Sequence, residues 1–154
     1  MSTIAERLDA APARPAGLDL SLPLALEMES VALDAWDGIA AGFEGLCQEQ
    51  LMAFAGVRWP RTTPEAWVFR RNGEIVGGTL MVVQRLPLGI GAIAVAKWGP
   101  MLARTSHPDA SQTYADMIEA MIAEYSSKRG MMLSIVCRAS IGPHLATAMA
   151  PMPR

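Results

Sequence analysis

The sequence predicts a mixed α/β fold, in which an antiparallel strand meander is followed by a crossover helix and a return strand. Asn72-Gly73 separates two stretches of strand-forming residues, and this pair suits the two positive-φ positions of a type I′ hairpin turn. Residues 110–129 carry one apolar stripe at helical spacing, and residues 131–137 are almost all apolar. A helix leading into an apolar strand indicates a parallel strand pair joined by a right-handed crossover. Residues 66–138 are therefore predicted to form one α/β unit.

The segment before the meander is predicted to hold a leader and short elements. Residues 1–24 contain three prolines among alanine, glycine and serine, which is typical of a flexible leader. A short strand is expected over residues 24–28. Asp34 is expected to cap a short helix, and a second helix is expected over residues 46–55, ending at Gly56.

The meander is predicted from its turn residues. Prolines exclude regular structure before the hairpin, and Gly77-Gly78 is expected to mark a bulge in its second strand. Glycines and prolines again interrupt the chain before and after the third strand. The strands are expected at residues 67–71, 74–86 and 92–98, and the connections at residues 58–64, 72–73, 87–91 and 101–109.

The crossover helix is expected over residues 110–129, and Gly130 is expected to end it. Lys128 and Arg129 lie in its last turn, where the helix dipole favours cations. We expect one α/β domain over residues 25–138 and an irregular tail over residues 139–154. The apolar stripe of the helix comprises Tyr114, Met117, Ile118, Met121, Ile122 and Tyr125.

Composition and charge limit the functional classes. No apolar run approaches the ~20 residues of a membrane-spanning helix, and the first residues lack the apolar segment of a secretory signal. A cytoplasmic protein is therefore expected. The net charge of −2 argues against binding a nucleic-acid backbone, and no DNA partner is expected. Residues 58–104 hold seven basic and two acidic side chains, which suits either an anionic ligand or ordinary solvated strand faces.

The sequence lacks the motifs of metal and nucleotide-cofactor sites. Gly89-Ile-Gly-Ala-Ile-Ala94 fits the G-x-G-x-x-A pattern but lies between two predicted strands, so its glycines are predicted to be turn residues. His107 and His144 have no partner at metal-ligand spacing, and His107 is expected to serve a local turn. Cys47 and Cys137 are predicted to be two buried thiols. No metal or cofactor is expected for this chain by itself.

Three groups of residues carry a family resemblance. Cys47-Gln-Glu-Gln50-Leu-Met-Ala-Phe54-Ala stands in the predicted second helix, and Asn72-Gly-Glu-Ile-Val-Gly-Gly stands in the hairpin. Arg85-Leu-Pro and Lys97-Trp-Gly-Pro100 end the last two meander strands. Their order and spacing resemble the FemAB-like group of the GNAT acyltransferase superfamily, and the match covers residues 36–138, about two thirds of the chain.

The resemblance implies a GNAT-like fold and an acyltransferase function. FemAB-like proteins are cytosolic and contain two GNAT-like domains in tandem; members move an aminoacyl group from a charged tRNA onto the amine of a peptidoglycan precursor. Wider relatives use acyl-CoA and serve envelope or exopolysaccharide pathways. By this resemblance the chain corresponds to the first domain only, a truncated half that binds the acceptor. Acyl-CoA or aminoacyl-tRNA would then be a donor only together with a second GNAT-like domain or in a homodimer.

One departure concerns the donor. CoA-binding GNAT domains place a Q/R-x-x-G-x-G/A loop before the crossover helix, and residues 99–109 contain no such loop. The chain is therefore not expected to bind acyl-CoA in the usual way. No catalytic base is identified, so the prediction that the chain is an enzyme rests on the resemblance. The residues predicted to bind an anionic envelope precursor are Arg58, Arg85, Lys97, Trp98 and Arg104.

Two alternative functions remain open from the sequence. One is a single-domain GNAT N-acetyltransferase that uses acetyl-CoA with an atypical donor loop. The other is a non-catalytic remnant or interaction module that needs a partner to supply a second half. Acetyl-CoA turnover would support the first alternative, and dimerisation or rescue by a separate GNAT-like chain would support the second.

Overall fold

An open, mixed sheet of six strands runs through residues 25–137, which are the residues that the computed structural model describes. The elements in chain order are β1 Glu27–Val31, α1 Leu33–Ala40, a 3₁₀ turn Gln48–Gln50, α2 Met52–Arg58, β2 Thr63–Arg71, β3 Glu74–Arg85, a 3₁₀ turn Pro87–Gly89, β4 Ala92–Lys97, β5 Met101–Leu102, α3 Ala110–Met121, a π-helical segment Ile122–Lys128, and β6 Met132–Val136. The strand order is β1-β2-β3-β4-β6, and β5 pairs with β3. The predicted fold class is confirmed.

The hairpin and the crossover follow from local sequence. Asn72 and Gly73 have φ angles of 53° and 79°, as the predicted I′ turn requires. Strands β2, β3 and β4 pair antiparallel, and β4 pairs parallel with β6 across α3, as predicted. Three predictions of strand position were wrong. β1 runs over Glu27–Val31 rather than over residues 24–28. β2 begins at Thr63 rather than at residue 67. The strand tolerates Pro64 because β1 does not pair with that part of β2. The short β5 falls in the predicted loop, because two residues carry no detectable alternation.

The two N-terminal helices differ from their predicted bounds, and one tertiary contact explains the start of the second. The first residue before α1 is Ala32, which makes no side-chain cap, and Asp34 lies in the first turn. Asp37, on α1, instead accepts hydrogen bonds from the backbone N–H groups of Met52 and Ala53 at 2.6 and 3.1 Å. A carboxylate from one helix thus caps the next, and α2 begins at Met52 rather than near residue 46.

The crossover helix changes its geometry before it ends. It is α-helical over Ala110–Met121 and π-helical over Ile122–Lys128. Most of the predicted stripe faces the sheet, but Ile122 is exposed because it lies at the margin of the stripe where the helix widens. Gly130 ends the helix with a φ of 64°, as predicted.

The sheet separates two apolar cores. One lies between the sheet and α3, and the other lies between the sheet and the α1–α2 pair. The second core covers β2 and β3 but not β6, so Met132 is 65% exposed and Val136 is 39% exposed. The apolar composition of residues 131–137 predicts a buried return strand, and that prediction is wrong: β6 is an edge strand whose second face is open within the described residues.

The glycine pair in β3 permits close packing on both faces. A Cβ at Gly77 would lie 2.3 Å from the Met101 carbonyl oxygen, and one at Gly78 would lie 2.5 Å from the Phe43 ring. The pairing register shifts opposite the Phe69–Arg70 step, one residue before Gly77, which places the irregularity next to the predicted bulge.

Candidate functional site

The strand ladder is interrupted where β4 ends. Pairing of β3 with β4 stops at Met81 and Ala96, and pairing with β5 begins again at Gly78 and Met101. Four residues of the chain, 97–100, therefore lie opposite two residues of β3. Backbone groups of β3 that a strand neighbour would normally bond are left open at this point, and the chain bulges away from the sheet.

Gln50 fills this interruption with its side-chain amide. Its Oε1 accepts a hydrogen bond from Leu80 N at 2.8 Å, and its Nε2 donates to the carbonyl oxygens of Leu80 and Lys97. Its own carbonyl accepts from Trp36 Nε1 at 2.7 Å. The side chain is fully buried, so it replaces a missing strand neighbour in a place without water. Gly99 lies against it, since a Cβ there would be 3.0 Å from Gln50 Nε2.

A cationic and aromatic group surrounds the outer side of this bulge. Lys97 Nζ lies 5.0 Å from the centre of the Trp59 ring, which is cation–π distance. Trp98 follows with a φ of 57°, is 38% exposed, and donates its backbone N–H to Val136 O at 2.7 Å. Arg58 is exposed at the end of α2, directly before Trp59. We call Arg58, Trp59, Lys97 and Trp98 the Lys97 group.

The structure separates two predicted residues from the Lys97 group. Arg85 pairs with Ala92, which precedes Lys97 by five positions on β4. The side chains of Arg85 and Lys97 therefore point to opposite faces of the sheet and lie about 16 Å apart along the strand. Arg104 follows β5 at the other end of β3 and lies close enough to Glu44 to help lower the pKa of that carboxyl. The five predicted residues therefore do not form one cluster. Arg58 and Trp98 are the chain neighbours of the Trp59–Lys97 contact, whereas Arg85 and Arg104 lie apart from it.

A thiol and a phenol meet beyond the end of β6. Tyr114 Oη, on α3, lies 3.1 Å from Cys137 Sγ. Burial, and the contact with Cys137, raise the pKa of Tyr114. Cys137 is exposed and Cys47 is half-buried, so the prediction of two buried thiols was wrong for Cys137 because β6 lies at the edge of the sheet.

A second polar cluster lies on the α3 face, near the end of the π-helical segment. Glu65 binds Arg129 through two contacts of 2.6 and 2.7 Å and accepts a hydrogen bond from Tyr125 Oη at 2.7 Å. Trp67 Nε1 donates to the same phenol at 2.7 Å. Burial acts to raise the pKa of Glu65, but the hydrogen bonds from Arg129 and Tyr125 outweigh it and lower that pKa. An open cavity of about 310 Å³ adjoins the cluster.

The loop before α3 is bonded to the segment that follows α1. Glu44 accepts hydrogen bonds from the backbone N–H and the hydroxyl of Thr105, and these bonds lower the pKa of Glu44. His107 Nδ1 accepts from Asp109 N at 3.2 Å, which confirms the predicted local turn. Gly89 and Gly91 have φ angles of 70° and 140°, as turn glycines do.

The residues that the sequence did not identify are those whose partners are distant in the chain. Gln50 bonds residues 30 and 47 positions away, and Glu65 bonds residues 60 and 64 positions away. The separation of Arg85 from Lys97 had a signal, because strand alternation over five positions reverses the face. Within residues 25–137 no group of three histidine, cysteine or acidic side chains is placed to hold a metal ion. No helix in that range is long and apolar enough to cross a membrane.

Comparison with solved structures finds FemX and several acetyltransferases. The chain is similar to FemX with 14% identity and a TM-score of 0.46, covering 62% of this chain and 24% of FemX. It is similar to a possible acetyltransferase from Clostridium difficile 630, with 12% identity and a TM-score of 0.49, covering 80% of this chain and 87% of that one. For a predicted acetyltransferase with acetyl-CoA from Clostridium acetobutylicum, the identity is 12% and the TM-score 0.49, covering 83% and 91%.

These neighbours agree in kind with the resemblance seen in the sequence, which joined a FemAB-like group to the GNAT superfamily. No family model and no curated protein matches the sequence. The chain spans about a quarter of the length of FemX. At these identities and TM-scores the similarity assigns no activity.

Proposed function

We propose that this chain is an acyltransferase-type domain whose Lys97 group binds the anionic acceptor, an envelope precursor that carries phosphates or carboxylates. The proposal follows the FemAB-like motifs, two of which the fold brings together: the Gln50 motif and the Lys97-Trp98-Gly99-Pro100 motif meet at the interrupted ladder. Acyl or aminoacyl transfer to an amine of that acceptor is the reaction that the resemblance implies.

The observation that carries the proposal is that the Lys97 ammonium group has no acidic partner among the described residues. Among the described residues its ammonium group has no carboxylate within salt-bridge distance and contacts only the Trp59 ring. Gln50 fixes the backbone of the same residue from the other side. An ammonium group that lies over a tryptophan ring and has no carboxylate partner suits a ligand with an anionic group beside a planar ring.

The donor is proposed to come from outside this domain. The loop before α3 lacks the phosphate-binding pattern, and Asp109 adds a negative charge at the helix start, which opposes a phosphate there. A second GNAT-like domain, or a second copy, would then hold the acyl-CoA or aminoacyl-tRNA. Positioning of the acceptor amine against that donor is what this domain would contribute to the rate.

Titration of a UDP-linked muropeptide against the purified chain tests the proposal, with tryptophan fluorescence or calorimetry as the readout. Lys97→Ala is expected to weaken binding by roughly tenfold, the loss of one charge-assisted contact. Lys128→Ala removes an exposed lysine that pairs with Glu124, and it is the matched control expected to leave binding unchanged. Equal binding by both variants, or no binding by the parent chain, would contradict the proposal.

The same preparation separates the two alternatives. Turnover of acetyl-CoA, or stabilisation against heat by CoA, would favour a single-domain N-acetyltransferase. Activity that appears only when a separate GNAT-like chain is added would favour an interaction module. Turnover by the chain alone is not expected under the proposal. Activity with an added GNAT-like chain is compatible with it, and acceptor binding that Lys97→Ala weakens then distinguishes an acceptor-binding domain from a module that only docks on the second chain.

A further inference from the structure

The turn between β3 and β4 carries two strongly exposed apolar side chains. Leu88 is 97% exposed and Ile90 is 74% exposed. Met132, which is 65% exposed, begins β6 and pairs with Ile93 only three positions after Ile90. We call Leu88, Ile90 and Met132 the apolar tip. It lies at the end of β4 opposite to Lys97.

The backbone of the tip gives no structural reason for leucine. Leu88 has φ 62° and ψ 13°, the left-handed region in which glycine and asparagine are the favoured residues. A leucine there is strained, and its side chain contacts almost nothing in the described residues. Neither packing against residues 25–137 nor turn geometry accounts for an apolar residue at this position, which indicates a contact beyond these residues.

The surroundings of the tip are cationic. Arg85 is the one charged side chain of residues 75–96, the segment that contains the turn. Arg85 ends β3 beside the tip, and the pairing of Thr63 with Val83 places Arg61 at the same end of the sheet. Neither arginine has a salt bridge within the described residues. An apolar tip with unpaired arginines around it complements a surface that is anionic outside and apolar beneath.

We infer that the apolar tip, with Arg61 and Arg85, docks this chain reversibly on an anionic lipid surface. A stable protein interface buries about 1,200–2,000 Å², which a few side chains on a projecting turn do not supply. Insertion of two or three apolar side chains together with cations at headgroup level is sufficient for weak membrane binding. This inference does not depend on the proposed function, since the tip and the Lys97 group lie at opposite ends of β4.

Co-sedimentation of the full chain with vesicles tests the inference. We expect binding to vesicles of phosphatidylcholine mixed with phosphatidylglycerol, weaker binding at higher salt, and no measurable binding to phosphatidylcholine alone. The double variant Leu88→Asn and Ile90→Ser should weaken binding by about tenfold or more, and Arg85→Gln by about fivefold. Val57→Ser is the matched control, because Val57 is 84% exposed on α2, away from the tip, and binding should not change.

The variants are chosen to keep the fold. Asparagine tolerates the backbone of residue 88, so thermal unfolding of the double variant should match the parent chain. Equal binding of the parent and double variant to anionic vesicles, or no binding by the parent, would overturn the inference. A concentration-dependent dimer that only the double variant abolishes would overturn it as well, since the tip would then bind a second copy. Acceptor binding should be unaffected by the double variant.

Discussion

Two polar clusters on opposite faces of one sheet are held together by different physics. Gln50 is neutral and fully buried, and it bonds backbone groups of two strands. Glu65 and Arg129 are charged, keep side-chain exposures of 21% and 25%, and bond each other and Tyr125. The first cluster completes a strand ladder, whereas the second joins the end of a helix to the edge of the sheet.

The difference determines how each cluster fails. A buried amide that loses its partners leaves backbone groups without water or any replacement, and that penalty does not depend on pH. A half-exposed ion pair loses part of its attraction to solvent screening, and what remains depends on the ionisation of Glu65. We therefore expect Gln50 to contribute more to stability than Glu65, and only Glu65 to give a stability that changes in acid.

The largest effect is expected for Gln50→Met. Methionine keeps the length and the unbranched shape of the side chain but leaves Leu80 N, Leu80 O and Lys97 O without this partner. The free energy of unfolding should fall by about 3–5 kcal/mol, because each buried group left unpaired costs about 1–3 kcal/mol. Chemical denaturation at two pH values measures the loss, which should be the same at both.

Gln48→Met is the control for that prediction. Gln48 lies in the same 3₁₀ turn but is exposed, so its replacement should change stability by less than ~0.5 kcal/mol. Similar small effects of both substitutions would show that Gln50 does not maintain the ladder. Acceptor binding by Gln50→Met, measured under conditions where the variant is folded, should also be weaker, since Lys97 would lose its fixed backbone position.

The elements whose signals are local could be predicted from the sequence, and those that depend on distant partners could not. Asn72-Gly73 specifies its own turn, and the stripe from Tyr114 to Tyr125 specifies a helix packed on a sheet. The start of α2 depends on Asp37, fifteen positions before it, and no local pattern reports such a contact. Element types were therefore more predictable than element ends.

The candidate site was predictable only in part for the same reason. Lys97 and Trp98 were identified because they end a strand, but Gln50 was known only through a motif, and its three hydrogen bonds reach across 30 and 47 positions. Arg85 was grouped with Lys97 on charge alone, whereas charge does not report which face of a strand a side chain occupies. That the Lys97 group binds an acceptor stays a prediction.

A smaller and pH-dependent effect is expected for Glu65→Gln. The pKa of Glu65 is below its ordinary value of 4.5, so the ion pair contributes its full stability above that pH and loses it as the pH falls through the folded pKa. At neutral pH the variant should be less stable by about 1–2 kcal/mol, since the pair is partly exposed. The difference between parent and variant should shrink in acid, and denaturation series at several pH values measure it.

Glu29→Gln is the matched control for this pH dependence. Glu29 pairs with Arg70 but is 54% exposed, so the loss should stay below ~0.5 kcal/mol at neutral pH. Parallel stability curves for the parent chain and Glu65→Gln across the acid range would mean that the carboxylate is not the titrating element of this cluster. In that case the stability that the Glu65 cluster contributes would be independent of pH, as is expected for Gln50.

The smallest of these effects is expected for Tyr125→Phe, which keeps the ring against Arg129 and Trp67 but removes the hydroxyl that joins Trp67 to Glu65. The loss should be about 0.5–1.5 kcal/mol, because one hydroxyl and its hydrogen bonds are removed while the buried ring is kept. Burial, then the bond to Glu65, raise the pKa of Tyr125 above 10.0, so the hydroxyl contributes its full stability below pH 10 and loses it as the pH rises further.

Tyrosinate absorbance reports this directly, because the chain has two tyrosines and the pKa of Tyr114 is raised as well. The folded parent should develop almost no tyrosinate near pH 10, and absorbance should increase together with alkaline unfolding. Tyr125→Phe and Tyr114→Phe each leave one reporter, so the two variants assign the signal. Ionisation of Tyr125 at its ordinary pKa in the folded chain would contradict a buried hydroxyl that is hydrogen-bonded to Glu65. Of the two polar clusters, only that of Gln50 would then be closed to solvent.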